Sequence, residues 1–191
     1  MEIADDPIYS KNKVIRIETT PQDGGANNQL ILKAGSGEGN CYVFDAFIYL
    51  AESATDSTTI QFSLCNSSYS NIMSINYQTG TTAIKKIQVR NVGGATVDVV
   101  TNQAVEGWYA FRIEYYVGVE LNGETVNIAK FFINDEYVAE AATYYNESSK
   151  SDPLGAVKIQ PLAAADIVMY LDDVVIDIIE KAYVEGEVEP G

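Results

Sequence analysis

Short runs of alternating hydrophobic and polar residues cover most of the chain, a pattern typical of β-strands with one buried face. Residues 59–64 and 72–77 alternate cleanly, and residues 108–117 place every second side chain on an apolar face. The opposite face of that last run holds Trp108, Ala110, Arg112, Glu114 and Tyr116. Residues 42–50 are apolar on both faces, which predicts a central strand that is covered on both sides or lies at an interface.

Turn signals separate these runs. Asn122-Gly123 lies between two strand-like runs, and because both residues tolerate positive φ the pair predicts a tight β-hairpin. Asn134-Asp135 predicts the next tight turn. No long amphipathic helix is predicted. The predicted strands are residues 14–18, 30–33, 42–50, 59–64, 72–77, 83–90, 96–101, 108–117, 125–133, 137–141, 157–161 and 167–178.

Composition supports an all-β fold. Ile and Val together number 37, Leu numbers 8 and Tyr numbers 13, and branched and aromatic side chains suit a pleated, half-buried surface. Many short strands with regular turns predict a two-sheet antiparallel β-sandwich with jelly-roll connections. We expect one domain over residues 1–184, followed by an acidic tail or linker at 185–191.

Charge and the lack of histidine narrow the function classes. The chain has 12 basic and 27 acidic residues, so its formal charge is 12 − 27 = −15. Such a surface repels phosphate backbones and anionic lipids, which argues against nucleic acid and membrane partners. No apolar run approaches the roughly 20 residues of a membrane-spanning helix. With no histidine, every His-based triad, metal site or proton shuttle is excluded.

The two cysteines and the chain ends bear on the cellular context. Cys41 and Cys65 match no zinc spacing. If residues 41–50 and 59–65 form a hairpin, Cys65 falls opposite residue 45, so two buried thiols are favoured over a disulfide, although secretion would allow one. No signal peptide is visible at the acidic start. The protein is therefore either cytoplasmic or secreted with its signal removed, and we favour a module of a larger extracellular or cell-surface protein.

Three segments in order resemble one superfamily. Residues 108–115 (WYAFRIEY) resemble a strand of the concanavalin A-like lectin/glucanase sandwiches, which include laminin-G-like domains. Residues 129–138 (AKFFINDEYV) resemble the hairpin that follows in those domains, and residues 169–176 (MYLDDVVI) resemble their closing strand. Residues 12–17 fit the opening strand, so the resemblance spans about residues 7–180. It implies a jelly-roll sandwich and a relation to glycans.

The same resemblance frames the expected function. Laminarinase-type members of the superfamily carry an E-x-D-x-E or E-x-D-x-x-E strand, because two carboxylates must reach one glycosidic bond. This chain has no such run, and Asp172 and Asp173 are adjacent, so they point to opposite faces. We therefore expect a non-catalytic carbohydrate-binding module and not an enzyme. The alternatives are a structural or adhesive spacer, and a glycoside hydrolase or lyase with an unrecognised site.

Candidate site residues follow from the resemblance and from side-chain chemistry. The resemblance implies that Asp172, before the closing strand, helps to bind a structural Ca²⁺, with Asp45, Asp5 or Asp6 as companion ligands. Trp108 resembles a structural core residue of the superfamily. Sugar rings stack on exposed aromatic side chains near strand ends and loops. The carbohydrate-binding candidates on that ground are Tyr77, Tyr116, Tyr144 and Tyr145.

Overall fold

The computed structural model describes residues 2–8, 13–19, 30–34, 39–53, 58–79, 82–91, 95–143, 154–161 and 167–186. These residues form thirteen β-strands and no helix, in two antiparallel sheets. The prediction of an all-β sandwich with jelly-roll topology is confirmed. Within the described residues, no helix has the length and apolar character that a membrane crossing requires.

The strands divide into a sheet of seven and a sheet of six. The seven-stranded sheet has the order β1-β2-β13-β4-β9-β10-β11, and the six-stranded sheet has the order β3-β12-β5-β6-β7-β8. The strand bounds are β1 Glu2–Asp5, β2 Lys13–Thr19, β3 Leu30–Lys33, β4 Cys41–Ser53, β5 Thr58–Cys65, β6 Asn71–Thr79, β7 Ala83–Arg90, β8 Thr96–Ala104, β9 Tyr109–Leu121, β10 Glu124–Ile133, β11 Glu136–Thr143, β12 Ala156–Pro161 and β13 Ile167–Ile179.

The core lies between the two sheets and is aromatic at its centre. The ring of Phe62 on β5 lies 5.6 Å from Phe44 and 5.5 Å from Phe111, which both belong to the other sheet. Tyr77 joins this cluster, and its hydroxyl shares a hydrogen bond with that of Tyr109. Buried Ile and Val side chains from both sheets surround these rings. The apolar face of residues 108–117 therefore points inward, as its alternation predicts.

Both predicted tight turns are present. Asn122 and Gly123 have φ of 53° and 83°, and Asn134 and Asp135 have φ of 52° and 63°. These left-handed conformations give the turns a twist that matches the flanking strands. One strand was missed: residues 2–5 pair with β2, although the sequence predicts a leading loop there. Its sequence, EIAD, has acidic residues at both ends and one branched side chain, so only the pairing reveals the strand.

Gly155 shows how closely the chain packs at the start of β12. Its N–H donates to the Cys65 carbonyl at 2.8 Å, and its carbonyl accepts from Ala34 at 3.0 Å. A Cβ at this position would lie less than 3.0 Å from the backbone of Ser67.

We expect Gly155→Ala to lower the free energy of unfolding by about 1–3 kcal/mol, because backbone must shift to admit the methyl group. Gly118→Ala is the control: its Cβ would meet nothing within 4 Å, and positive φ alone costs about 1 kcal/mol. Urea denaturation of both variants measures the difference. A Gly155→Ala variant as stable as the wild-type protein would show that the close approach to Ser67 carries no cost.

Candidate functional site

The outer face of the seven-stranded sheet, which points away from the core, carries aromatic and charged side chains in cross-strand rows. We name three of these rows and call them together the open face. The aromatic row is Glu2, Arg16, Tyr170 and Tyr49, with Trp108 beside Tyr49. The Asp172 row is Asp172, Phe47 and Ala110. The Arg112 row is Val175, Asp45, Arg112, Phe132 and Tyr137.

The aromatic row is a set of half-buried rings held by polar contacts. The ring of Tyr49 lies 5.6 Å from Trp108 and 6.1 Å from Tyr170. The Trp108 indole N–H donates to Asp6 Oδ1 at 3.3 Å, which orients the indole. Arg16 extends the row and pairs with Glu2 at 2.8 Å. Rings in this arrangement form an amphipathic platform of the kind on which sugar rings stack.

Asp45 and Arg112 form a bidentate ion pair on neighbouring strands of the open face. The Arg112 Nε and Nη2 atoms lie 2.6 and 3.2 Å from the two carboxylate oxygens of Asp45. Chiefly through the hydrogen bond to Asp45, the pKa of the Arg112 guanidinium is raised above its usual range. The pair is partly accessible, with side-chain exposures of 37% for Arg112 and 32% for Asp45. Both charged groups can therefore meet a ligand without being pulled from their positions.

Asp172 lies close to that ion pair. It stands opposite Phe47, while Asp45 stands opposite Val175, and the register shifts between these two positions. Asp173 takes a positive φ of 45° in this bulge, and its N–H donates to Asp172 Oδ1 at 2.9 Å. Asp45 and Asp172 are thus diagonal neighbours on adjacent strands, which places their Cα atoms roughly 7–8 Å apart. The Phe47 ring beside them is 43% exposed.

The next row of this face is covered at all its positions except Asp177, which is exposed. It consists of Asp177, Val43, Glu114, Lys130 and Glu140. Residues 180–186, which we call the C-terminal strap, follow β13 and contact this row. Beneath the strap, Glu114 is 5% exposed and Lys130 is 3% exposed. The strap therefore marks the boundary of the open face on one side.

The outer face of the six-stranded sheet differs in chemistry. Side-chain amides run across its strands, with Gln160 donating to Gln61 at 3.3 Å and Gln61 donating to Asn76 at 3.2 Å. Gln88 donates to Asp98 at 2.6 Å farther along. The outward residues that the structure describes in these strands include no aromatic ring. An aromatic platform is thus a property of the seven-stranded sheet.

Two of the predicted sugar-binding residues, Tyr77 and Tyr116, are buried and therefore cannot present their rings to a sugar. Tyr77 is fully buried and bonds to Tyr109, because it lies on the inward side of β6. Tyr116 points outward but is buried by the strap, and its hydroxyl donates to Glu114 at 2.6 Å. Tyr144 and Tyr145 lie outside the described residues. Trp108, expected in the core, is instead on the open face, since the residue before β9 continues the outward alternation.

The predicted calcium ligands are only partly brought together. Asp172 and Asp45 are diagonal neighbours, but both Asp45 oxygens already accept from Arg112. Asp6 accepts from the Trp108 indole and from the Ile8 backbone N–H at 2.7 Å. In the part of the chain that the structure describes, no group of three or more His, Cys, Asp and Glu residues could hold a metal ion. Calcium binding stays a prediction, as does an extracellular location.

Both cysteines are free and buried, which agrees with the favoured interpretation of two buried thiols. The open face itself is not evident from the sequence, and neither is the role of its residues Phe47, Tyr49, Arg112 and Tyr170. A signal was available, because the outward positions of β4 are unusually apolar. That signal also fits a covered strand or an interface, since a single strand does not show which residues its neighbours contribute.

Comparison with known proteins identifies the fold. No family model matches the chain, and no curated protein sequence matches it. Among solved structures, an alginate lyase from Chlorella virus is 8% identical, with 93% of this chain and 88% of that chain covered and a TM-score of 0.59. A carbohydrate esterase from a Shiga toxin-encoding bacteriophage is 10% identical, with coverages of 94% and 87% and a TM-score of 0.63. A family 7 alginate lyase in complex with substrate is 12% identical, with coverages of 90% and 80% and a TM-score of 0.55.

These likenesses show a shared fold, the concanavalin A-like jelly roll, and they correct one expectation. The expectation that the chain is not an enzyme is wrong, because these solved structures of the same fold are carbohydrate-active enzymes. The missing E-x-D-x-E run concerns carboxylates on one strand. In a sheet, carboxylates from distant parts of the sequence can lie on neighbouring strands, as those of the diagonal neighbours Asp45 and Asp172 do.

Proposed function

We propose that the protein is a glycan-cleaving enzyme whose site is the open face. The observation that carries the proposal is the diagonal placement of Asp45 and Asp172 beside an exposed aromatic ring, Phe47. Hydrolysis of a glycosidic bond uses two carboxyl groups about 5–9.5 Å apart. A diagonal pair on adjacent strands falls in that interval, because its Cα atoms are roughly 7–8 Å apart and its side chains can converge or diverge.

The two carboxyl groups have different surroundings, which suggests a division of roles. Asp45 is fixed by both of its oxygens in the pair with Arg112, so it supplies an oriented negative charge to the oxocarbenium-like transition state or activates a water. Asp172, whose bonded partner is the Asp173 N–H, supplies the proton to the leaving oxygen. Phe47, Tyr49 and Trp108 hold sugar rings by stacking.

A second candidate reaction is β-elimination in a uronate-containing glycan, the substrate class of the alginate lyases that share the fold. The aromatic row favours it, because Arg16 lies across from Tyr170 and next to Glu2. A guanidinium can neutralise a uronate carboxylate, and a phenol can move a proton. The net charge of −15 disfavours it, since an acidic protein repels a polyanion. A neutral glycan is therefore the substrate class that we place first.

One assay with two readouts tests the proposal and separates the two reactions. The purified protein is incubated with neutral glucans, mannans, galactans and xylans and with acidic uronans, including alginate. Hydrolysis raises the number of reducing ends alone, whereas β-elimination also raises ultraviolet absorbance from an unsaturated sugar. We expect new reducing ends on at least one neutral glycan without that absorbance. The absence of sustained turnover on every polysaccharide, with and without Ca²⁺, would overturn the proposal.

A further inference from the structure

The C-terminal strap contacts three neighbouring strands of the outer face. Its Lys181 Nζ atom donates to Glu114 of β9 at 3.0 Å, and its Val184 carbonyl accepts from Lys130 of β10. Its Tyr183 hydroxyl donates to Glu140 of β11 at 2.8 Å. The Gly186 N–H reaches the same Glu140 carboxylate. The strap therefore runs across the sheet, roughly perpendicular to the strands.

The strap is anchored by buried charge and by aromatic packing. Lys130 Nζ lies 3.6 Å from Glu140 and 5.1 Å from the centre of the Tyr183 ring. Tyr183 packs edge-on against Tyr116, with their ring centres 5.5 Å apart. Ions removed from water stabilise a single arrangement when each has a partner, since misplacing either ion leaves a buried charge unpaired. The strap is thus a fixed wall of the site in the folded protein.

The covered row lies closer to Asp45 than the aromatic row does. Along the strands, Asp45 is two residues from Val43 of the covered row, a distance of about 7 Å, and four residues from Tyr49 of the aromatic row, a distance of about 13 Å. Asp45 and Asp172 therefore lie at the strap end of the open face. The aromatic platform lies at the other end, where no strap contact reaches.

Resting on the proposed function, we infer that the strap closes the site on one side of the cleavage point, so that the enzyme releases short products from glycan chain ends. A chain that stacks on Tyr49 and Trp108 meets the strap soon after it passes Asp45. The strap therefore leaves the aromatic side free for sugar units, and there Asp6 bonds to the Trp108 indole N–H. An enzyme that cleaves internal bonds needs room on both sides of the carboxylates.

The test follows product length early in the reaction, with viscosity measured in parallel. For the wild-type protein we expect one short product from the first time point, with viscosity falling slowly for each reducing end formed. A ladder of mixed lengths with a rapid fall in viscosity would overturn the inference while leaving the proposed function intact. Absence of turnover would instead overturn the proposed function, so the two failures are distinguishable.

Release of the strap should change this pattern. We expect Lys181→Ala combined with Tyr183→Ala to give mixed product lengths, and removal of residues 180–191 serves as the second variant. Lys86→Ala, an exposed lysine on the six-stranded sheet, is the control and should keep the wild-type pattern. If the strap is released and the enzyme still forms one short product, the inference is wrong.

Thiol labelling detects release of the strap without an assay of enzyme activity. Cys41 packs with Val43 and Tyr116 under the strap, and burial raises the pKa of its thiol to about 12. Cys65 lies on β5 in the other sheet. We expect strap release to raise the rate of Cys41 alkylation at pH 8 by more than about 100-fold, with Cys65 still protected. Rapid labelling of Cys41 in the wild-type protein would contradict a fixed strap.

Discussion

Asp172→Asn is expected to lower kcat for glycan cleavage by about 10²–10⁴-fold, the contribution of a positioned general acid. The amide keeps the size of the side chain and can still accept from the Asp173 N–H, so the bulge should keep its geometry. What is lost is the proton that the leaving oxygen takes. Initial rates at saturating glycan, measured as new reducing ends, check this expectation.

Asp45→Asn should cause a loss of similar size for a different reason. The neutral amide no longer opposes positive charge in the transition state, and Arg112 loses its ionic partner. Because Arg112 is partly exposed, solvent can compensate for the lost ion pair, so stability should change little. If the variant unfolds at the same urea concentration as the wild-type protein but no longer cleaves glycan, the substitution has removed catalysis and not folding.

Asp98→Asn is the matched control for both substitutions. Asp98 also belongs to an ion pair, with Lys86 at 2.9 Å, and its exposure of 35% resembles the 32% of Asp45. It lies on the outer face of the other sheet. We expect Asp98→Asn to keep wild-type kcat. If Asp98→Asn lost as much activity as Asp172→Asn, or if Asp172→Asn stayed fully active, the open face would not be the site of cleavage.

Lys130→Met is expected to lower the free energy of unfolding by about 3–5 kcal/mol, the usual cost of leaving one partner of a buried ion pair behind. Lys130 is 3% exposed, and its ammonium group lies between Glu140 and the Val184 carbonyl. Methionine fills the volume of the lysine side chain, so the lost stability comes from the missing charge and hydrogen bond more than from packing. Glu140 then stays half-buried without its cation, and the strap loses an anchor.

Lys86→Met provides the comparison for this loss of stability. Its ion pair with Asp98 is shorter, at 2.9 Å against 3.6 Å for Lys130 and Glu140, but it lies in solvent, with 43% of the lysine side chain exposed. Surface ion pairs contribute about 0–1 kcal/mol. Urea denaturation of the two variants should therefore give clearly different midpoints. Equal midpoints would show that Lys130 is not a buried anchor of the strap.

The fold was predictable because its signals are local. A period of two along a strand is set by the backbone, so the inward face of β9 was clear from its own residues. Asn122-Gly123 and Asn134-Asp135 determine their turns through left-handed conformations. Strand β1 (EIAD) was not evident because acidic residues and alanine are disfavoured in strands, whereas β3 (LILK), also of four residues, is apolar at three positions.

The site was not predictable in the same way, because it is assembled across strands. Asp45 and Asp172 are far apart in sequence and become neighbours only through the pairing of β4 with β13. Their register also depends on the bulge at Asp173, where a non-glycine residue takes positive φ. Tyr116 illustrates the converse: alternation places it outward correctly, but its burial depends on the strap, which alternation within β9 does not reveal.

The most direct test of the proposed site is a crystal structure of the Asp172→Asn variant with an oligosaccharide of the cleaved glycan. Slow turnover in this variant should allow the ligand to persist. We predict sugar rings over Phe47, Tyr49 and Trp108, with a glycosidic oxygen within hydrogen-bonding reach of residue 172 and the chain ending at the strap. An oligosaccharide bound instead along the amides of the six-stranded sheet, with the open face empty, would contradict a cleavage site at Asp45 and Asp172.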